Sequence, residues 1–169
     1  MKHVASITTA FLMLTACADA QKTETTTAGP EPILRAESRI ELCVRRYENR
    51  HEQFANCAGA HARACMNSRE DGETTVGMMQ CSMEEASAWD ERLNATYAAL
   101  QAELDPGVFE ALRDAQRAWI ASRDADCALE ISPYEGGSIQ PVIAAGCELD
   151  LTAARALQLE EWQAELPPF

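Results

Sequence analysis

The sequence lacks the features that mark several common protein classes. It has no C-x-x-C pair, no run of alternating β-branched residues and no visible internal repeat. These absences disfavour a paired-cysteine zinc site and a sheet-rich fold. Basic residues are also few, with 14 Lys and Arg against 27 Asp and Glu and a formal net charge of −13. Because such a charge repels a phosphate backbone, nucleic acid is not an expected partner.

The amino-terminal segment has the pattern of a secretory signal peptide, residues 1–16. A short basic head precedes a mostly apolar stretch that is too short to cross a bilayer as a permanent helix. The four residues that end at Cys17, L-T-A-C, resemble the lipobox of bacterial lipoproteins. That resemblance implies that Cys17 carries acyl chains and anchors the protein to a membrane. Because Ala18 rather than an aspartate follows, it implies the periplasmic face of the outer membrane in a Gram-negative cell envelope.

The remainder divides into a tether and one domain. Residues 17–33 comprise the cysteine and a segment rich in threonine, alanine, proline and charged residues. This segment has little apolar surface to bury, so we expect a flexible tether. Residues 34–169 have the size of a single domain. Removing Lys2 with the signal leaves 13 basic and 27 acidic side chains, a formal charge of −14. A surface of that charge would steer cationic proteins towards it.

Six cysteines remain in the predicted domain, an even number in an oxidising compartment, which predicts three disulfides. They are Cys43, Cys57, Cys65, Cys81, Cys127 and Cys147. The residues by themselves leave the connectivity open. Because His51 and His61 have no paired-cysteine context, we expect no metal and no other cofactor.

The first part of the domain, residues 35–68, is helix-prone. A break near residues 49–51 or at Gly59 is an open alternative. Cys57 and Cys65 lie on what the pattern predicts to be one helix. Their Cα atoms would be about 12 Å apart by helix rise, too far to bond to each other.

The second half of the domain shows three long helical segments. Apolar residues recur every three or four positions up to Leu104, which predicts one long amphipathic helix beginning near residue 86. Asp105 is a good N-cap for a second helix, and Pro106 suits its first position. A connection that short makes the two helices antiparallel neighbours. Ser138 is the predicted cap of a third helix that ends near Trp162, so the predicted fold is all-α, a small disulfide-stapled bundle with long antiparallel helices.

Antiparallel pairing of the first two long helices predicts a partly buried polar seam. Its expected members are Glu85, Asp90, Asn94, Tyr97, Gln116, Trp119 and Arg123. We expect Arg123 to pair with Asp90 or Glu85. Asn94 comes level with Gln116, and the two are expected to exchange amide hydrogen bonds. No serine or cysteine here has a histidine placed to activate it, so we predict a structural role and no catalytic residue.

These segments resemble a known family. W-D-x-x-L-N-x-x-Y at residues 89–97 is followed by A-Q-R-A-W-I-x-x-R-D-x-x-C at residues 115–127. With G-E-T-T-V-G-M at residues 72–78, they are similar to the LprI-type lysozyme-inhibitor domain of bacterial envelope proteins, over roughly residues 43–160. Within this resemblance, order along the chain suggests the disulfides Cys43–Cys57, Cys65–Cys81 and Cys127–Cys147. The first pair requires a helix break between its cysteines.

Two functions are compatible with this sequence. The resemblance implies a non-catalytic lipoprotein whose acidic surface binds and inhibits a cationic lysozyme-type muramidase. Our candidate contact is the loop after the second long helix, with Tyr134 as an anchor and Glu135 as a charge partner. The candidate loop residues are Tyr134, Glu135, Gly136, Gly137 and Ser138. The alternative is a structural or assembly accessory that binds another component of the cell envelope.

Overall fold

The structure, a computed structural model, describes residues 34–167, and within this range every regular element is helical. The elements are α1 (Ala36–Val44), α2 (Arg50–Cys57), α3 (Ala60–Ser68), α4 (Thr75–Glu103), α5 (Pro106–Ile131), a 3-10 turn (Ser132–Tyr134) and α6 (Gln140–Glu165). The all-α fold class is therefore confirmed. None of the helices in the described range has the length and apolar character needed to span a bilayer. The predicted signal peptide, the predicted lipidation at Cys17 and the predicted tether all lie outside these residues.

The core forms where α4 packs along α6, the most extensive helix pair in the structure. Arg92 of α4 contacts Glu160, and Glu103, further along α4, contacts Gln163, so the two helices run in the same direction. Helix α5 connects them and runs the opposite way. Apolar side chains at helical spacing fill the interface, which removes them from water. The buried set at this interface includes Trp89, Leu93, Leu100, Ala153, Ala156 and Leu157, and Ile40 of α1 belongs to the same core.

The junction between α4 and α5 forms as its residues predict. Asp105 occupies the N-cap of α5 and Pro106 its first position, although the Asp105 carboxylate accepts no capping hydrogen bond. The rings of Tyr97 and Phe109, one on each helix, lie 5.5 Å apart. Beyond this junction α5 packs mainly on α6 rather than on α4. Its buried residues are Leu112 and Cys127, so α5 contributes little to the core.

The first part of the domain corrects one prediction. Cys57 and Cys65 lie on separate helices, α2 and α3, not on one. Gly59, with φ +75°, forms the N-cap of α3 and breaks the helix there, since few residues with a side chain adopt that backbone conformation. A second break precedes α2, where the Asn49 side chain accepts a hydrogen bond from the Glu52 N–H at 3.0 Å. Both alternative breaks are therefore present.

Three disulfides connect consecutive helices. Cys43–Cys57 joins α1 to α2, Cys65–Cys81 joins α3 to α4, and Cys127–Cys147 joins α5 to α6. Each has a Cα–Cα distance of 5.7 Å. These are the pairs that order along the chain suggests. The bundle is thus cross-linked at every second connection between its helices.

The G-E-T-T-V-G segment forms the close connection between α3 and α4. A Cβ on Gly72 would lie 1.9 Å from the Met66 carbonyl oxygen, and one on Gly77 would lie 2.1 Å from that of Asp71. Only glycine therefore fits at these two positions without backbone movement. Thr74 caps α4 by accepting a hydrogen bond from the Gly77 N–H at 3.0 Å. The connection turns α3 back against α4.

Candidate functional site

Six of the seven predicted seam residues line one groove between α4 and α5, with a volume of about 470 Å³. They are Asp90, Asn94, Tyr97, Gln116, Trp119 and Arg123. The expected register between the two helices is consistent with this grouping. The groove is open rather than partly buried, however, because Asp90 and Asn94 are exposed.

The predicted partners of Arg123 are wrong. Its guanidinium donates to the Asp124 carboxylate at 2.8 and 3.0 Å and lies 5.2 Å from the centre of the Trp119 ring. The guanidinium of Arg155 on α6 lies 5.8 Å from the same ring. Burial lowers the pKa of Arg155. The contact between Arg155 and Trp119 therefore helps to hold α5 against α6. Arg123 lies on the same helix as Trp119 and does not pair with Asp90.

The predicted amide pair between Asn94 and Gln116 is also wrong. Asn94 donates instead to the Asp90 carboxylate one turn away, at 2.9 Å. Gln116 accepts from Nε of Arg155 at 2.9 Å. Each amide finds a charged partner, and charge-assisted hydrogen bonds are stronger than a bond between two neutral amides.

Glu85 is not part of the groove, because its side chain is fully buried on the opposite side of α4 against α3. Its Oε1 accepts from the Gly59 N–H at 2.8 Å and from Nε1 of Trp89 at 3.0 Å. Its Oε2 accepts from the Ala62 N–H at 2.7 Å. The carboxylate thus caps the amino terminus of α3, where free N–H groups and the helix dipole favour negative charge. The i, i+4 spacing to Trp89 was the one signal of this role in the sequence.

Arg92 links three helices. It contacts Glu41 of α1 at 2.7 Å and Glu160 of α6 at 2.5 Å. Hydrogen bonds from Arg92, and then from Arg45, lower the pKa of Glu41. This residue was not among the sequence candidates, because both of its partners are far away along the chain.

The acidic side chains concentrate at one end of the α5–α6 hairpin. We call residues 124–154 the acidic tip, since this stretch contains six acidic residues and no Lys, Arg or His. All six are exposed, namely Asp124, Asp126, Glu130, Glu135, Glu148 and Asp150. The pKa of Asp150 is raised by desolvation and, more weakly, by the negative charges of Glu130 and Glu85. The tip therefore has a high density of negative charge.

Two large apolar side chains stand out on the acidic tip. Leu129 is 73% exposed and Tyr134 is 43% exposed. The predicted loop is exposed throughout, but Ser138 does not cap α6, whose N-cap is Ile139. The Gln140 side chain instead accepts from the Gly136 N–H at 3.1 Å, which ties the loop to the first turn of α6.

Comparison with known proteins identifies the family of this domain. The model of the family described as "Lysozyme inhibitor LprI" matches residues 65–159, more than half of the chain. The chain belongs to the LprI family. The match extends from α3 to α6 and includes both the groove and the acidic tip, whereas α1 and α2 precede it. The six cysteines of the described range are all disulfide-bonded, so none of them offers this LprI domain a nucleophilic thiolate.

Two curated relatives are similar in sequence to part of this chain. An uncharacterized protein of Rhizobium meliloti (strain 1021) is 39% identical over 94 residues, which cover 48% of this chain and 68% of the relative. An uncharacterized 17.7 kDa protein of Rhodobacter capsulatus, in the puhA 5′ region, is 29% identical over 135 residues, which cover 70% of this chain and 80% of the relative. No solved structure matches the chain.

Proposed function

We propose that this protein binds a cationic lysozyme-type muramidase and inhibits it, with the acidic tip as the contact surface. The family is described as a lysozyme inhibitor. The observation that carries the proposal is the charge of the tip, six exposed acidic side chains without a basic one between residues 124 and 154. A field of one sign raises the rate at which an oppositely charged protein arrives, and it suppresses encounters with acidic partners.

Leu129 and Tyr134 supply apolar contacts with the partner, which the acidic side chains cannot make. Most of the binding energy of a protein interface comes from a few buried anchors, and exposed rim charges contribute mainly to the association rate. Both side chains are exposed on the same hairpin end as the acids. In the proposed complex they enter the partner's surface while Glu130 and Glu135 face its basic side chains.

The tip is also constrained before binding. The Cys127–Cys147 bond joins the last full turns of α5 to the start of α6. The Tyr134 carbonyl accepts from the Gly137 N–H at 2.9 Å, which closes the turn. A preorganised loop loses less conformational entropy on binding than a flexible one.

The predicted lipid on Cys17 and the tether up to residue 33 complete the proposal. They would hold the domain at the periplasmic face of the outer membrane, within reach of a muramidase that enters the cell envelope. The binding domain itself needs no membrane contact.

The test is lysozyme turnover on cell walls with increasing amounts of the purified protein, at low and at high salt. The double variant Glu130→Lys with Glu135→Lys should weaken inhibition at low salt by about tenfold or more, because it reverses two contact charges. Glu70→Lys with Glu73→Lys is the matched control, since it changes the net charge equally at two exposed positions outside the tip. Inhibition should be unchanged there. Absence of inhibition by the native protein at any ratio overturns the proposal.

The apolar anchors are tested separately. Leu129→Ser and Tyr134→Ala should each weaken inhibition at both salt concentrations, because salt screens charge and does not weaken apolar burial. Neither side chain is buried, so the melting temperature should stay near that of the native protein. If both variants inhibit as well as the native protein, Leu129 and Tyr134 do not contact the partner as proposed.

A further inference from the structure

His61 is a buried histidine whose two ring nitrogens have no hydrogen-bond partner among the described residues. Its exposure is 4%. Buried polar groups are normally satisfied, because an unpaired one loses its hydration without compensation. Its Nε2 lies 3.5 Å from an Oε2 of Glu84, too far for a good hydrogen bond. The imidazole is thus placed beside a carboxylate but is not bonded to it.

Two facing helices bring three metal-binding side chains together at this point, those of His61, Cys65 and Glu84. His61 and Cys65 lie one turn apart on α3, and Cys81 and Glu84 lie one turn apart on α4. Ligand atoms of His61, Cys65 and Glu84 all lie within 4.8 Å of one another. Cys65 Sγ is 3.7 Å from the same Glu84 oxygen that faces His61, and Cys81 is the disulfide partner of Cys65. Because the cysteines are on different helices, the spacing along the chain gave no sign of this cluster.

Two of the separations between ligand atoms fit a tetrahedral metal. Bonds of about 2.0–2.3 Å from Zn²⁺ to nitrogen, oxygen and sulfur place neighbouring ligand atoms roughly 3.3–3.8 Å apart. The separations from Glu84 Oε2 to His61 Nε2 and to Cys65 Sγ, 3.5 and 3.7 Å, fall in this range. In the disulfide form the two sulfur atoms bond to each other and offer no thiolate, so the ligand set is incomplete.

The surroundings provide orientation and access. Nη1 of Arg69 lies 3.7 Å from Glu84 Oε1, the carboxylate oxygen that does not face His61. Such outer contacts fix the direction of a ligand. A surface cavity of about 640 Å³ is lined by His61 and Glu84 and gives an ion a route from solvent.

The geometry points to a Zn²⁺ site that the Cys65–Cys81 disulfide keeps closed and that reduction opens. A dithiol reductant gives two electrons and two protons to the disulfide and leaves as its own cyclic disulfide. Zn²⁺ then binds both thiolates, His61 Nε2 and the Glu84 carboxylate, and the two thiol protons pass to solvent. In the reverse step a disulfide compound takes two electrons from the two thiolates and two protons from solvent and leaves as a dithiol, the Cys65–Cys81 bond forms again, and the ion is released. This site is independent of lysozyme binding.

The test measures metal binding to the purified protein with its disulfides intact and after reduction by a phosphine, which does not compete strongly for the ion. Zn²⁺ is titrated against a chromophoric chelator, and Co²⁺ serves as a spectroscopic probe of tetrahedral thiolate coordination. We expect one tight Zn²⁺ per reduced chain, a Co²⁺–thiolate charge-transfer band, and neither in the oxidised protein. A reduced protein without Zn²⁺ binding overturns the inference.

Variants separate this site from binding by any free thiol. Cys65→Ser with Cys81→Ser should abolish binding, whereas Cys127→Ser with Cys147→Ser is the matched control and should retain it. His61→Asn and Glu84→Gln should each weaken Zn²⁺ binding by at least about tenfold. Equal affinity in all of these variants would show that unfolded thiols bind the metal, and it would overturn the site even if the reduced chain loses helix by circular dichroism.

Discussion

Oε1 of Glu85, in the middle of α4, accepts a hydrogen bond from the backbone N–H of Gly59 at 2.8 Å, across 26 residues of chain. Gly59 is the N-cap of α3, so a buried side chain of one helix supplies the cap of another. The same carboxylate receives the Trp89 indole N–H. The position of α3 on the bundle therefore depends on one negative group whose partners are three neutral N–H donors.

Glu85→Gln should lower the free energy of unfolding by about 2–4 kcal/mol. The amide NH₂ would face N–H donors in place of a carboxylate oxygen, and buried donors without an acceptor are costly. Chemical denaturation at neutral pH gives the value. Glu91→Gln is the control, because Glu91 is an exposed residue of the same helix, and its change should stay within about 0.5 kcal/mol. Equal stability of Glu85→Gln and the native protein would contradict the capping role.

Replacing both Cys127 and Cys147 by serine should destabilise the second half of α5 more than the rest of the fold. That half has Cys127 as its one buried residue, so the cross-link takes the place of a core contact. Removing a loop-closing disulfide typically costs about 3 kcal/mol. Hydrogen exchange should become faster in residues 120–131 and remain slow in the middle of α4. Uniform acceleration across both helices would contradict this prediction.

Arg92→Met should lower stability by about 1–2 kcal/mol at neutral pH, since it breaks the link between Glu41 and Glu160 while keeping the aliphatic part of the side chain. Because the pKa of Glu41 is lowered in the fold, its contribution is present above the ordinary value of 4.5 and is lost as pH falls below it. The difference between native protein and variant, followed by thermal unfolding, should shrink from pH 7 to pH 3. A constant difference would exclude the carboxylate contribution.

Asp150→Asn should stabilise the protein at neutral pH. The folded-state pKa of Asp150 is raised, so between its ordinary value of 3.8 and the raised value the folded protein holds more protons than the unfolded chain. The stability of the native protein therefore falls as pH rises through that window. The amide side chain of the variant does not ionise, so the variant does not lose this stability. The difference in melting temperature between the variant and the native protein should disappear below about pH 3.8. An advantage that persists in acid would assign the effect to packing instead.

Local signals in the sequence predict where the long helices end better than where they begin, because α4 begins at Thr75 and not near residue 86. The apolar spacing up to Leu104 and the Asp105-Pro106 pair identify the α4–α5 junction, because capping and proline preferences act within a few residues. The register between these helices follows from the short connection, and it places Asn94 and Gln116 in the same groove. These inferences need no knowledge of the third long helix.

The individual contacts are less accessible from sequence, because they depend on which helix arrives as the third neighbour. Helix α6 lies along α4 and brings Arg155 to Gln116 and Trp119. Because Gln116 accepts from Arg155, it does not bond to Asn94 as predicted. Arg123 bonds to its sequence neighbour Asp124. The role of Glu85 requires α3 to fold back over α4, a contact that no local pattern encodes.

The six cysteines of the described chain bond in three consecutive pairs along the sequence, so no disulfide loop encloses or overlaps another. A polypeptide that enters an oxidising compartment from its amino end therefore meets the correct thiol first at every step. Under the proposed anchoring, acylation removes Cys17, the odd thiol that would otherwise disturb this order. Oxidative maturation of the chain then needs no shuffling of partners, and an isomerase should be dispensable for it.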